Sequence, residues 1–271
     1  MGDKTDNSAQ VELQPSQFVH LHNHTHHSLL DGLSKIPKLV DTVKEMGMEA
    51  VAITDHGTMT GVLEFYKTAN ATGIKPILGM EAYVAARGIG DRDPQKDKVR
   101  YHLTLISMNN QGYHNLMRLS SIANLEGMYY KPRIDHELLE KYNEGLIVLS
   151  GCASGELGEN LRADNYEEAK KIAQWYKGVF GDRYYLEMQD HGHPDSNTHW
   201  DVQDKINTYL QKMSKDLDIP LVVTCDGHYI AHEDRDSHEI LLCIGTGAYL
   251  SDEKRMSLKE FELHVTDPQD I

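Results

Sequence analysis

Seven short apolar runs, most of them separated by amphipathic stretches, constrain this chain more than any other feature. They occupy residues 18–21, 50–53, 76–79, 103–106, 146–149, 184–187 and 221–224. Between the first two, Leu39, Val40, Val43 and Met46 fall on one helical face, with Pro37 near the start and Gly47 beyond the end. Similar helical patterns cover 61–72, 113–124, 166–180 and 200–217. Strands separated by helices imply parallel pairing. Seven βα units within 271 residues close more naturally into a barrel than they remain an open sheet. The sequence therefore predicts an α/β fold, a distorted TIM-like barrel with one unit fewer than the usual eight. No repeat or linker marks an internal boundary, so residues 18–271 form one expected domain behind a disordered arm at 1–17. Residues 86–100, rich in Gly, Asp and Lys, read as a mobile loop.

Composition limits the partners. The net charge of −15 repels polyanions over a Debye length of about 8 Å, which argues against tight autonomous binding of nucleic acid. The 16 histidines point to metal, because neutral imidazole is the commonest metal ligand. A metal centre that receives an anionic substrate with help from another module satisfies both facts. Three cysteines give no disulfide framework. With no long apolar run and no secretory signal, the expected location is cytoplasmic, without a membrane partner.

Chemistry-bearing residues gather where the runs end. In His20-Leu21-His22-Asn23-His24 an extended backbone turns His22 and His24 to one side, so that both can face one cation. Asp31 follows in a turn, His56 closes the second run within Thr54-Asp55-His56-Gly57, and Glu81 interrupts the third. A carboxylate buried there needs a partner or a metal. His102 begins the fourth run, Cys152 follows the fifth, and Asp226-Gly227-His228 follows the seventh. Each alone has an ordinary explanation: a solvated strand end, a capped turn, a packed histidine, a buried thiol. A barrel, however, brings such ends together, and nine ligand-type groups exceed what one tetrahedral ion uses, so they imply two or three metals.

These motifs, His22-Asn23-His24, Asp31, Thr54-Asp55-His56-Gly57, Glu81, His102, Cys152 and Asp226-Gly227-His228, resemble the complete set of the PHP (polymerase and histidinol phosphatase) domain. More narrowly, residues 18–32, 129–135, 150–156 and 238–247 resemble the amino-terminal domain of bacterial DNA polymerase III alpha subunits. The resemblance extends over nearly all of 18–271. It implies a trinuclear site: one metal on His22, His24, Glu81 and Asp226, a second on Glu81, His102 and Cys152, a third on Asp31, His56 and His228. None of the nine positions departs from the pattern. The zinc, manganese, iron or magnesium ions of such a centre support phosphoester hydrolysis, and the resemblance makes the DNA 3′ end the expected substrate of a 3′–5′ proofreading exonuclease. His191, Tyr130, Lys131 and Arg133 are further candidates for substrate contact, with Tyr129 beside them.

Two other functions compete: a non-catalytic, metal-stabilised module that stiffens the polymerase and docks a separate proofreading subunit, and a small-molecule phosphatase of the histidinol-phosphate type. The intact ligand set ranks the exonuclease first. The remainder of the alpha subunit is the expected partner, and the polymerase palm, fingers and thumb are absent from these 271 residues.

Overall fold

Local sequence chemistry sets the element boundaries along the chain, which a computed structural model describes over residues 13–192 and 198–271. Helix α1 (Ile36–Glu45) has a proline in its first turn and ends before Gly47, whose φ of +81° supplies the left-handed turn out of the helix. Then follow β1 (Ala50–Ile53), α2 (Val62–Thr72), β2 (Lys75–Ala85) and β3 (Arg100–Ser107). Helix α3 (Asn110–Leu125) starts where the Asn109 side chain accepts from Gly112 N. A short hairpin, β4 (Met128–Tyr129) and β5 (Lys131–Ile134), leads into α4 (His136–Lys141), capped by Asp135. The remainder comprises β6 (Leu146–Leu149), α5 (Glu156–Arg162), α6 (Tyr166–Phe180), β7 (Tyr184–Gln189), α7 (Thr198–Leu217), β8 (Leu221–Thr224) and α8 (Arg235–Thr246).

The sheet runs β1-β2-β3-β6-β7-β8, with β5 and β4 attached to the far end of β2. The extended segment 18–25 closes it into a barrel. On one side Ala52 N donates to His20 O and Thr54 N to Asn23 O; on the other, His24 N donates to Gly227 O and Gly227 N to His22 O. Segment 18–25 thus occupies the place of the first expected strand and, with six regular strands, makes the expected seven. One apolar cluster, from Leu103, Leu105 and Val148 to Tyr176 and Leu210, lies beneath α3, α6 and α7; a second, around Val51, Ile53, Val40 and Phe65, lies beneath α1 and α2. Among the described residues no helix is long and apolar enough to cross a membrane.

Two expectations are corrected. Pairing is not wholly parallel, because β3 runs antiparallel to both β2 and β6. The connection from β2 to β3 contains no helix to carry the chain back across the barrel, so β3 returns alongside β2 as a hairpin partner. Nor is 86–100 a free loop. Arg87 bonds Asp97 bidentately at 2.8 and 2.6 Å, Ile89 N donates to Asp135 Oδ2, and Arg100 belongs to β3. Of the expected arm 1–17, residues 1–12 lie outside the described residues, and Pro15–Gln17 forms a 3-10 turn.

Asn23 stitches the closure, since its Nδ2 donates to His20 O (3.0 Å) and Ala52 O (3.1 Å) while Thr54 Oγ1 accepts from its backbone N–H. Asn23→Ala removes both side-chain bonds, and urea unfolding should show a loss of about 1–3 kcal/mol. An unchanged midpoint would mean the seam is held by other contacts.

Candidate metal centre

The barrel mouth is built from turns that have little freedom. Asp55, fully buried at the end of β1, accepts from Thr25 N (2.7 Å), Thr25 Oγ1 and Ser28 Oγ (2.8 Å), pinning the turn that carries His24 at one end and Asp31 at the other. Glu81 sits three residues past the last β1–β2 pair, opposite Thr104 of β3; its N–H donates to Thr54 O. Because β3 is reversed, its first residues lie at the mouth, so His102 reaches the site from a strand start. The loop after β6 folds onto it: His102 N donates to Ser154 O, and a side chain at Gly151, where φ is +83°, would collide with His102 O.

All nine sequence-selected residues meet here. His22 Nε2 lies 3.4 Å from Glu81 Oε1 and 3.3 Å from Asp226 Oδ1, and His24 Nε2 lies 3.1 Å from Asp226 Oδ1 and 3.6 Å from Glu81 Oε2. His56 reaches Asp31 at 3.1 Å and Glu81 at 2.5 Å; His102 Nδ1 lies 3.1 Å from Glu81 and 3.5 Å from Cys152 Sγ. The His228 ring packs 4.4 Å from that of His24. Three imidazoles have their second nitrogen occupied. His22 Nδ1–H donates to Glu187 Oε1 (2.6 Å), His228 Nδ1–H to Asp226 O (2.7 Å), and His24 Nδ1–H to Ser28 Oγ, itself committed to Asp55. This arrangement turns their Nε2 atoms towards the centre.

The donors fit divalent ions. Two ligands about 2.1 Å from a tetrahedral ion are about 3.4 Å apart, which matches most of the spacings above. Moreover His22 Nε2, His24 Nε2, His56 Nδ1, Glu81 Oε2 and Asp226 Oδ1 are buried without a hydrogen-bond partner; even the 2.5 Å approach of His56 to Glu81 is misaligned for one. Three overlapping groups lie at ligand spacing: His22, His24 and Asp226; His24, His56 and His228; His56, Glu81 and His102.

Electrostatics tells the same story. Burial disfavours the charged form of Glu81, but His102, His56 and His22 outweigh it and hold the carboxyl well below its usual range. Burial likewise opposes a proton on His56, yet Glu81 and Asp31 raise it to about 10. His24 is lowered to about 4 by burial and by the neighbouring His56 and His228. Cys152 is pushed well up by burial and by Glu81 and Asp226, so its thiolate needs a cation.

Glu187 escaped the sequence reading. It is fully buried on β7, and besides His22 it accepts from Thr224 Oγ1 (2.6 Å), Thr104 Oγ1 (3.2 Å) and Gly151 N (3.1 Å). The signal was available, because an acid ending an apolar run is the same anomaly that singled out Glu81. The candidates for substrate contact divide. His191 is buried beside the centre with both ring nitrogens unpartnered. Lys131 Nζ lies over the Tyr83 ring (5.4 Å), which stacks on His56, and Tyr130 is exposed. Arg133 corrects the expectation: wholly buried, it donates to the carbonyls of Gly127, Asp97, Ile89 and Asp91, holding the 86–99 connection to the barrel. Tyr129 lies against its guanidinium.

The sequence matches the PHP domain family over residues 20–191. It is 47% identical over 250 residues to the DNA polymerase III subunit alpha of Treponema pallidum (92% of this chain, 21% of the relative) and 43% over 257 residues to that of Borreliella burgdorferi (94% and 22%). The chain thus spans about a fifth of the length of these curated relatives. In fold it is similar to an amidohydrolase from Chromobacterium violaceum, with a TM-score of 0.50 and 11% identity over 78% of this chain and 87% of that one.

Three measurements test this geometry. Because His56 is protonated below about pH 10 in the metal-free chain, an incoming ion must displace its proton. Calorimetric zinc titration at pH 7.5 in buffers of different ionisation enthalpy should register proton release, with affinity rising towards pH 10; buffer-independent heats would contradict it. Glu187→Gln should weaken zinc binding by roughly 10–100-fold in chelator competition without unfolding the chain. Arg133→Leu strands four carbonyls and should cost about 3 kcal/mol or more in denaturant unfolding.

Proposed function

The chain belongs to the PHP domain family, and from that premise we propose that it is the amino-terminal metal-dependent phosphoesterase domain of a DNA polymerase III alpha subunit, acting as a 3′–5′ exonuclease on DNA. The observation carrying this reading is the set of five buried donor atoms, on His22, His24, His56, Glu81 and Asp226, that face one another without hydrogen bonds. Divalent cations would relieve such a set without rebuilding the mouth.

Two or three divalent ions fit it: one on His22, His24, Glu81 and Asp226, one on Glu81, His102 and Cys152, and one on Asp31, His56 and His228. Imidazole and thiol donors favour zinc, manganese or iron over magnesium. When bound, the ions supply Lewis acidity and an acidified water. The chain's own side chains do the rest. Glu187 holds the His22 ring in the tautomer that turns Nε2 inward. His191, its pKa lowered to about 4 by burial despite the nearby Asp226, is neutral at pH 7 and offers an N–H to a phosphoryl oxygen. Lys131 at the rim pairs a strand phosphate, and Tyr130 stacks a base. The net charge of −15 makes binding by this chain weak and salt-sensitive, so the remainder of the alpha subunit supplies the basic path for DNA.

The test is degradation of a 3′-mismatched primer. His22→Ala and Asp226→Ala should each lower the rate by more than about two orders of magnitude with the fold retained, and Lys131→Ala should reduce the salt slope by about one. If neither the chain nor the full polymerase degrades the primer, and metal removal only lowers Tm, the domain is a structural and subunit-docking module. Preference for a small phosphomonoester instead makes it a phosphatase of the histidinol-phosphate type.

A further inference from the structure

The turn between His24 and Asp31 carries two more histidines, which the centre does not use. The rings of His26 and His27 lie 4.3 Å apart at the protein surface, and the carboxylate of Glu64, in the first turn of α2, approaches His27 Nε2 to 3.6 Å. One ligand atom from each of the three comes within 4.8 Å of the others, near enough for small side-chain movements to bring all three onto one ion, and the group shares no member with those at the barrel mouth. Both His26 Nδ1 and His27 Nε2 are shielded from solvent and make no hydrogen bond. Unused, buried imidazole nitrogens at a surface open to water need an explanation, since a small rotation would let each find a partner.

The backbone beneath both rings is fixed, and the His27 ring has a neighbour on one side. His26 N donates to Ser34 O and His27 N to Thr25 Oγ1, itself held by Asp55. The His27 ring rests on Gly61, where a Cβ would come within 2.7 Å of its Cδ2, so the residue before α2 lacks a side chain where the imidazole passes. The backbone therefore presents two imidazoles to a helix whose first turn offers a carboxylate. Two imidazoles and one carboxylate form a donor set suited to a borderline divalent cation, with a fourth position left to water.

We propose that His26, His27 and Glu64 form a peripheral site for a zinc-like divalent cation, distinct from the barrel centre. The ion ties the turn bearing His24 and Asp31 to the start of α2. It acts as a clip across the mouth rather than as part of the hydrolytic centre, and its existence does not depend on the substrate assigned above.

Metal-stripped chain titrated with zinc alone against a chromophoric chelator tests the proposal. Glu64→Gln, at an exposed helix position, and His26→Gln should each bind one equivalent fewer than the parent in the accessible range. That equivalent should be more than about tenfold weaker, as loss of a direct ligand costs at least what loss of an outer partner does. His22→Ala should retain it, with the equivalents lost from the barrel instead. If Glu64→Gln and His26→Gln both hold as many equivalents as the parent at unchanged affinity, the proposal is overturned. Primer degradation plays no part in this readout, so failure here and failure of the exonuclease assignment are separately visible.

Discussion

Burying several carboxylates in one small volume is the constraint on which the rest of the structure depends. Glu81, Glu187 and Asp226 lie within the barrel mouth with almost no exposure, where an unpaired anion would cost several kcal/mol. Imidazoles surround Glu81 and Asp226, while Glu187 meets His22, two hydroxyls and a backbone N–H, and the competition between burial and opposite charge resolves in favour of ionised acids: Glu81 and Asp226 are both held well below the usual carboxylate range. In the chain without ions, protons on His22 and His56 balance that charge, since both are raised despite burial. The centre is therefore preorganised but electrostatically provisional, and cations can replace protons without the framework moving.

Framework rigidity comes from polar groups that do not face the centre. Asp55 fixes the turn after the first strand, Ser28 relays that anchoring to His24, and Glu187 does the same for His22 while Thr104 and Thr224 fill its remaining lone pairs. Each orienting group is itself oriented, which removes the rotamer freedom that would otherwise be lost on binding. Arg133 extends the same logic to the flank of the mouth, where four carbonyls of the β2–β5 region converge on one guanidinium.

Much of this was legible in the residues. Apolar runs located six of the strands, helical periodicity located α6 from Tyr166 to Phe180, and nine side chains chosen at run ends meet in one place. Strand direction was not legible, because period-two alternation is the same read forwards or backwards; only the missing helix in 86–99 hinted at the reversal of β3. Arg133 misled because a basic residue beside two tyrosines has the composition of a nucleic-acid patch, and burial depends on distant carbonyls. Glu187 stood out as an acid ending an apolar run, but its orienting role could not be read, because its partners, Thr104, Gly151 and Thr224, come from three other parts of the chain. Long-range satisfaction of polar groups leaves no local pattern.

Asp226 adopts φ of +50°, a left-handed conformation that few side chains tolerate, at the position where the chain after β8 turns its carboxylate inward. Among uncharged residues that carry a side chain, asparagine enters that region most readily, with the same shape and half the oxygen donors. Asp226→Asn is thus the least disruptive change at this position, by which the barrel keeps its backbone and loses an anion. Branched or bulky replacements would have to deform the turn as well. The tolerated substitutions here should therefore record whether selection has been acting on chemistry or only on shape.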